Sequence, residues 1–117
     1  GIDGNRYDEM NMVHTTWQPN PWWKVDLKGM FCIDTVVFFN RGETVWGNFE
    51  YHAKDLIVEV LNSEVSPTVV VKKLQFDGIP PVGGVTFNFG GVWGNEVKLS
   101  LQGESRLLMF YEVEVYP

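Results

Sequence analysis

The chain has 117 residues, a length that suggests one domain, and 44% of them are apolar, enough for a core at this size. Its net charge of -6 argues against nucleic acid, whose binding rests on Lys and Arg neutralising phosphates. A single cysteine, Cys32, excludes an intrachain disulfide and a zinc site built from cysteines, and no apolar run is long enough to span a bilayer.

Residues 1–21 are rich in turn-formers and polar groups, among them Asp3, Gly4, Asn5, Asp8, Asn11, Pro19, Asn20 and Pro21. They show no helical period and read as a long loop; no signal peptide is visible. The stretch Pro19–Leu27 then packs two prolines, two tryptophans and an alternating strand into nine residues. Trp23, Val25 and Leu27 point one way and Trp22, Lys24 and Asp26 the other, the period of a half-buried strand. The prolines precede it, where they cost no ladder hydrogen bond. Cys32 to Phe39 is continuously apolar and β-branched, which predicts a strand buried on both faces.

Asn40-Arg-Gly-Glu43 opens a second loop, running to about Asp55. Strands follow at Leu56–Val60 and Thr68–Leu74, then a turn cluster at Gly78–Gly84. Val85, Phe87 and Phe89 alternate with Thr86 and Asn88, and Val97, Leu99 and Leu101 with Glu96, Lys98 and Ser100. Gly103–Arg106 is a turn, and Val113 and Val115 alternate with Glu112 and Glu114. The pattern has no amphipathic helix. It predicts an all-β, antiparallel sandwich or barrel of about seven or eight short strands. Trp23, Val25, Leu27, Val97, Leu99 and Val113 are expected in its core.

Several pieces of this pattern occur together in one known family. Ile2-Asp-Gly-Asn5, His14, Asn20-Pro-Trp-Trp-Lys-Val-Asp-Leu27, Asn40-Arg-Gly-Glu43, Gly84-Val-Thr-Phe87 and Glu112-Val-Glu-Val-Tyr116 come in family order, almost end to end. On these residues the chain resembles an F-type lectin domain, a fucose-binding branch of the discoidin-like (F5/8 type C-like) jelly rolls. The resemblance implies a galactose-binding-domain-like β-sandwich jelly roll. Residues 1–117 would form a single such domain, lacking the family's first strand before Asp3-Gly-Asn5.

The resemblance also implies a shallow sugar pocket. The family's His and first Arg are separated by 26 residues, as His14 and Arg41 are here. A guanidinium offers a rigid fork of donors and a neutral imidazole both accepts and donates, which suits sugar hydroxyls. Departures from the family pattern follow. Glu43 stands where the family has Asp, and Asn48 where it has a second basic residue. Aligned backward from the next strand, that basic position falls at His52, so the third polar contact is either lost or made by another residue. The family's adjacent cysteines are replaced by Thr44 and Val45; Trp46 beside them either offers the sugar an aromatic face or caps the core.

The family's structural calcium maps onto Asp3, Asn5, Asn11, the carbonyl of Tyr111 and the carboxylate of Glu112, oxygen donors of the kind calcium takes. Family cysteines are replaced by Met12, Tyr111 and Phe89, so packing must supply what a bridge supplies elsewhere, about 2–4 kcal/mol. The expected function is a non-enzymatic glycan-binding module with carbohydrate as its partner, as a homo-oligomer or part of a larger chain. The resemblance implies a secreted or cell-surface place, which the single cysteine argues against. The alternative is a discoidin-like adhesion or structural module that binds protein and has lost its sugar affinity.

Overall fold

The structure, a computed structural model, describes residues 6–7, 13–40, 43–44, 47–48 and 50–117, with the side chains of 15–40, 51–110 and 112–117. Its strands in chain order are β1 (Arg6–Tyr7), β2 (Val13–His14), β3 (Trp22–Asn40), β4 (Glu43–Thr44), β5 (Gly47–Asn48), β6 (Ile57–Asn62), β7 (Val69–Gln75), β8 (Val85–Ser100) and β9 (Met109–Tyr116). A 3-10 turn covers Glu50–Ala53. The main sheet runs β1-β9-β3-β8-β6-β7, with β2 also on β9, and every pairing is antiparallel. No helix among the described residues is long and apolar enough to cross a membrane.

The expected all-β architecture is present, but two of its strands are not short. The expected strands around Trp22–Leu27 and Cys32–Phe39 are one element, β3, of 19 residues. Those around Val85–Phe89 and Val97–Leu101 merge into β8, of 16. The chain turns a corner without leaving the ladder. Lys28 takes a left-handed φ of 66° and its N–H donates to Asp26 Oδ1 at 2.8 Å. Register against β8 shifts between Asp26 and Phe31 and again between Ile33 and Thr35, so the extra residues are absorbed as bulges.

The corner lets the ribbon of β3 and β8 close on its own apolar face. Val25 and Leu27 from one half of β3, and Ile33, Val36 and Phe38 from the other, belong to one buried cluster with Val97, Leu99, Phe87, Phe89 and Val113. Each such side chain contributes about 1.5–3 kcal/mol by leaving water. Trp23 is half-buried rather than buried, packing its ring edge on Phe110 at 5.2 Å.

The expectation of two-sided burial for Cys32–Phe39 is corrected. Ile33, Val36 and Phe38 are fully buried, whereas Asp34 is exposed and Val37 and Phe39 are half-buried. Among the described residues the second face of this strand carries no complete layer over it, so Val37 and Phe39 are only half-buried. The long loops are also more structured than the composition suggests. Arg6–Tyr7 and Val13–His14 pair with β9, and β4 and β5 form a small hairpin within the second loop.

Candidate functional site

Three connecting segments converge beside the start of β9. Thr15 N–H donates to Leu108 O at 2.9 Å, and Leu108 N–H returns a bond to Thr15 Oγ1 at 3.1 Å. Gln18 and Arg106 exchange both backbone bonds at 3.0 Å. Asn20 closes the same ladder, donating its N–H to Gly103 O at 2.9 Å and accepting Gly103 N–H on its side chain at 3.0 Å. The segment before the first core strand is therefore zipped to residues 103–108.

Arg106 ties in the third segment. Its guanidinium donates to the carbonyls of Gln102 at 2.8 Å, Lys54 at 2.8 Å and His52 at 3.4 Å. The 3-10 turn thereby sits against the zipped loops. Its His52 is buried, at 6% exposure, with two aromatic rings near its own. Tyr51 lies 4.2 Å from it, centroid to centroid, and Trp17 meets it edge-on at 5.3 Å. Trp17 itself is 59% exposed, so the cluster presents an indole to solvent.

The strands set the spacing of the positions expected from the sequence to line a pocket. His14 pairs with Met109 on one side of β9, while Asn40, the residue before Arg41, pairs with Phe110 on the other. With β9 between them, the two flanking backbones are about 10 Å apart, twice the spacing of neighbouring strands. Asn40 is buried and its Nδ2 donates to Pro80 O at 2.6 Å, which fixes where the second loop leaves the sheet. In the β4–β5 hairpin Glu43 pairs directly with Asn48. Arg41 and Trp46 lie outside the described residues, as do Asp3, Asn5 and Asn11.

Tyr111 and Glu112 are consecutive on β9. Tyr7 pairs with Val113 and Val13 with Phe110, so the two strands that frame residues 8–12 dock on either side of this pair. Glu112 carries a half-buried carboxylate there. A hard oxygen donor beside the returning N-terminal segment fits the chemistry of calcium. Among the described residues, which leave out three of the five mapped ligands, no group of three or more His, Cys, Asp and Glu side chains converges.

Sequence reasoning missed Arg106, Trp17 and Tyr51. The turn at Gly103–Arg106 gave no sign that its arginine would reach the carbonyls of residues 52 and 54. Trp17 and Tyr51 did carry a signal: each is a large aromatic residue in a polar loop close to a histidine.

Comparison with known proteins places these features in a wider group. The family model described as a NedA-like, galactose-binding domain of F5/8 type C matches residues 1–99. Fucolectin-1 of Anguilla japonica is 47% identical over 45 residues, 36% of this chain and 25% of that protein. The match thus spans about a quarter of the relative's length. Among solved structures, the lectin domain of lectinolysin complexed with Lewis B antigen superposes with a TM-score of 0.79 and 28% identity, over 90% of this chain and 70% of that one. A fucolectin from the serum of Morone saxatilis, the striped bass, gives 0.76 and 29%, over 97% and 39%.

Proposed function

Because the chain belongs to the family of NedA-like, galactose-binding domains of F5/8 type C, we propose that it is a non-enzymatic lectin module binding fucose or a related sugar. The observation that carries this reading is the placement of His14 and Asn40 on opposite sides of β9, beside the zipped loops and the 3-10 turn. Similarity to fucolectins and to a lectin domain complexed with Lewis B antigen supports the same reading.

In this reading His14 and Arg41 grip the sugar hydroxyls from the two flanks of β9. The hairpin holding Glu43 and Asn48 and the buried ring of His52 complete the wall, and Trp46 shapes the pocket. The binding is non-covalent and proceeds by hydrogen bonds from groups held on loops over a rigid sandwich. A structural calcium, held by Asp3, Asn5, Asn11, the Tyr111 carbonyl and Glu112, supplies a charge that fixes the N-terminal segment to β9. The module acts as one domain over residues 1–117, in a secreted or cell-surface setting.

A glycan array tests the proposal. The parent protein is expected to retain fucosylated glycans, and Arg41→Ala to lose them at least tenfold. If the parent retains no glycan, or Arg41→Ala retains every one as well as the parent does, the site is wrong and a protein-binding adhesion module takes its place.

A further inference from the structure

The outer face of the sheet carries a second constellation, away from the residues assigned to the sugar pocket. Where β3, β8, β6 and β7 lie side by side, register aligns Lys24, Lys98, Glu59 and Lys73 in one row across four strands. Three of the chain's nine basic residues thus share a single row, in a protein of net charge -6. Lys24 and Lys98 are direct cross-strand partners, an arrangement that like charges make destabilising.

The acids nearby neutralise this row only in part, two carboxylates, Glu96 and Glu59, standing against three lysines. Glu96 pairs with Lys24 at 3.4 Å. Among the described residues Lys98 and Lys73 make no ion pair, although Glu59 stands between them in the row. Two residues back along β3, on the same face, Trp22 is 55% exposed, and the ammoniums of Lys24 and Lys98 approach its ring to 5.7 and 5.4 Å. Trp22 and Lys98 together line two adjoining hollows, of about 290 and 210 Å³. The larger one also reaches Lys73 and the acid between the two lysines, Glu59, and is edged by the hydroxyl of Ser100 and the amide of Gln102.

We infer that this face is a second glycan site, specific for an acidic sugar bearing sulfate or carboxylate groups. The anion sits against Lys98 and Lys73, which make no ion pair among the described residues, and relieves the repulsion between Lys98 and Lys24. The pyranose packs its C–H edge on the exposed indole, whose negative face attracts partial positive charge. Ser100 and Gln102 meet the neutral hydroxyls. The inference does not rest on the loop site: none of the residues assigned to grip the fucose-type sugar takes part in it, and Gln102 adjoins both only through its carbonyl, which accepts from Arg106.

Calorimetry with the whole chain tests it, using a heparin-derived tetrasaccharide and its fully desulfated, N-acetylated counterpart. The sulfated sugar is expected to bind at least tenfold more tightly than the desulfated one, and more weakly as salt rises from about 0.05 to 0.5 M, as screening requires. Lys98→Gln with Lys73→Gln, and separately Trp22→Ala, should each weaken that binding at least tenfold while leaving fucosylated-glycan binding unchanged. Lys73→Gln alone, at an exposed position on the last strand of the sheet, gives a several-fold loss without risk to the fold. Arg41→Ala should leave the sulfated sugar bound. Four results overturn the inference: no binding of the sulfated sugar, equal binding of the desulfated one, binding indifferent to Lys73 and Lys98, or binding lost in Arg41→Ala. Lysine-dependent capture of phosphatidylserine vesicles by protein that ignores the tetrasaccharide likewise overturns it, in favour of a lipid headgroup.

Discussion

A guanidinium holds its donors in a fixed planar fork, and Arg106 directs that fork at three backbone carbonyls on two segments. A lysine has the charge but not the fork, and reaches at most one of these carbonyls well. Arg106→Lys is therefore expected to lose about 1–2 kcal/mol in urea unfolding, since a net hydrogen bond contributes about 1 kcal/mol and these are partly solvated. Sugar affinity should fall with it, because the 3-10 turn carrying His52 is no longer tied to residues 102–106. Unchanged stability in Arg106→Lys would show the turn to be held by other contacts. His52 itself allows a finer test. An imidazole titrates near pH 6.5, and its protonated form donates from both nitrogens. If His52 makes the third sugar contact as a cation, affinity rises as pH falls from about 7.5 to 5.5. His14 is the chain's other imidazole, so the comparison is with His52→Gln. A pH dependence that survives this substitution unchanged removes His52 from the site.

At the scale of elements, the ribbon of β3 and β8 depends on close passage at its corner. Gly94 of β8 is buried and pairs with Phe31. A Cβ there would run into Val60 Cγ1 and lie 2.8 Å from Leu61 O, on backbone that cannot swing away. Gly94→Ala is expected to cost about 1–3 kcal/mol, the usual penalty of overpacking, read as a lower urea midpoint at unchanged slope. A midpoint equal to the parent's would mean that β6 shifts freely at Leu61, against its register with Glu96. The same corner marks the limit of what the sequence made legible. Alternation at Trp22–Leu27 and Val97–Leu101 gave the faces correctly, because a period of two follows directly from the pleat. It did not reveal that each strand continues past Lys28 or Gly91, because a bulge breaks the period just as a loop does. Two-residue strands such as Val13–His14 have no period at all, and only pairing with β9 makes them visible. The proposed pocket rests on a spacing, His14 to Arg41, whereas the contacts of Arg106 and Trp17 near His52 were not legible, since they join residues far apart in the chain.

At the scale of the whole molecule, the question is what holds the N-terminal segment to the sandwich. Its described contacts with β9 are two pairs of residues at β1 and two at β2, four short pairings in all. With Cys32 the lone cysteine, no disulfide within the chain can add a covalent tether. An ion bound between Asp3, Asn5, Asn11, the Tyr111 carbonyl and Glu112 would join this segment to the last strand, where β1 and β2 dock on either side of residues 111–112. A ligand that binds only the folded state stabilises it by mass action, about 2.7 kcal/mol when present at a hundredfold excess over its dissociation constant. For a domain of this size each kcal/mol moves the melting temperature by roughly 4–8 °C. Chelation is thus expected to lower the melting temperature by on the order of 10 °C, and added calcium, but not magnesium at equal concentration, to restore it, because magnesium demands a smaller octahedral shell. Glu112→Gln keeps the shape of the side chain and removes its charge, so it should abolish most of the difference between chelated and calcium-loaded protein. Identical melting curves with and without chelator, on protein first shown to carry the ion, would remove calcium from the structure. They would leave the pairing of β1 and β2 with β9 as the tether, and the core built by β3, β8 and β9 would be untouched by that result.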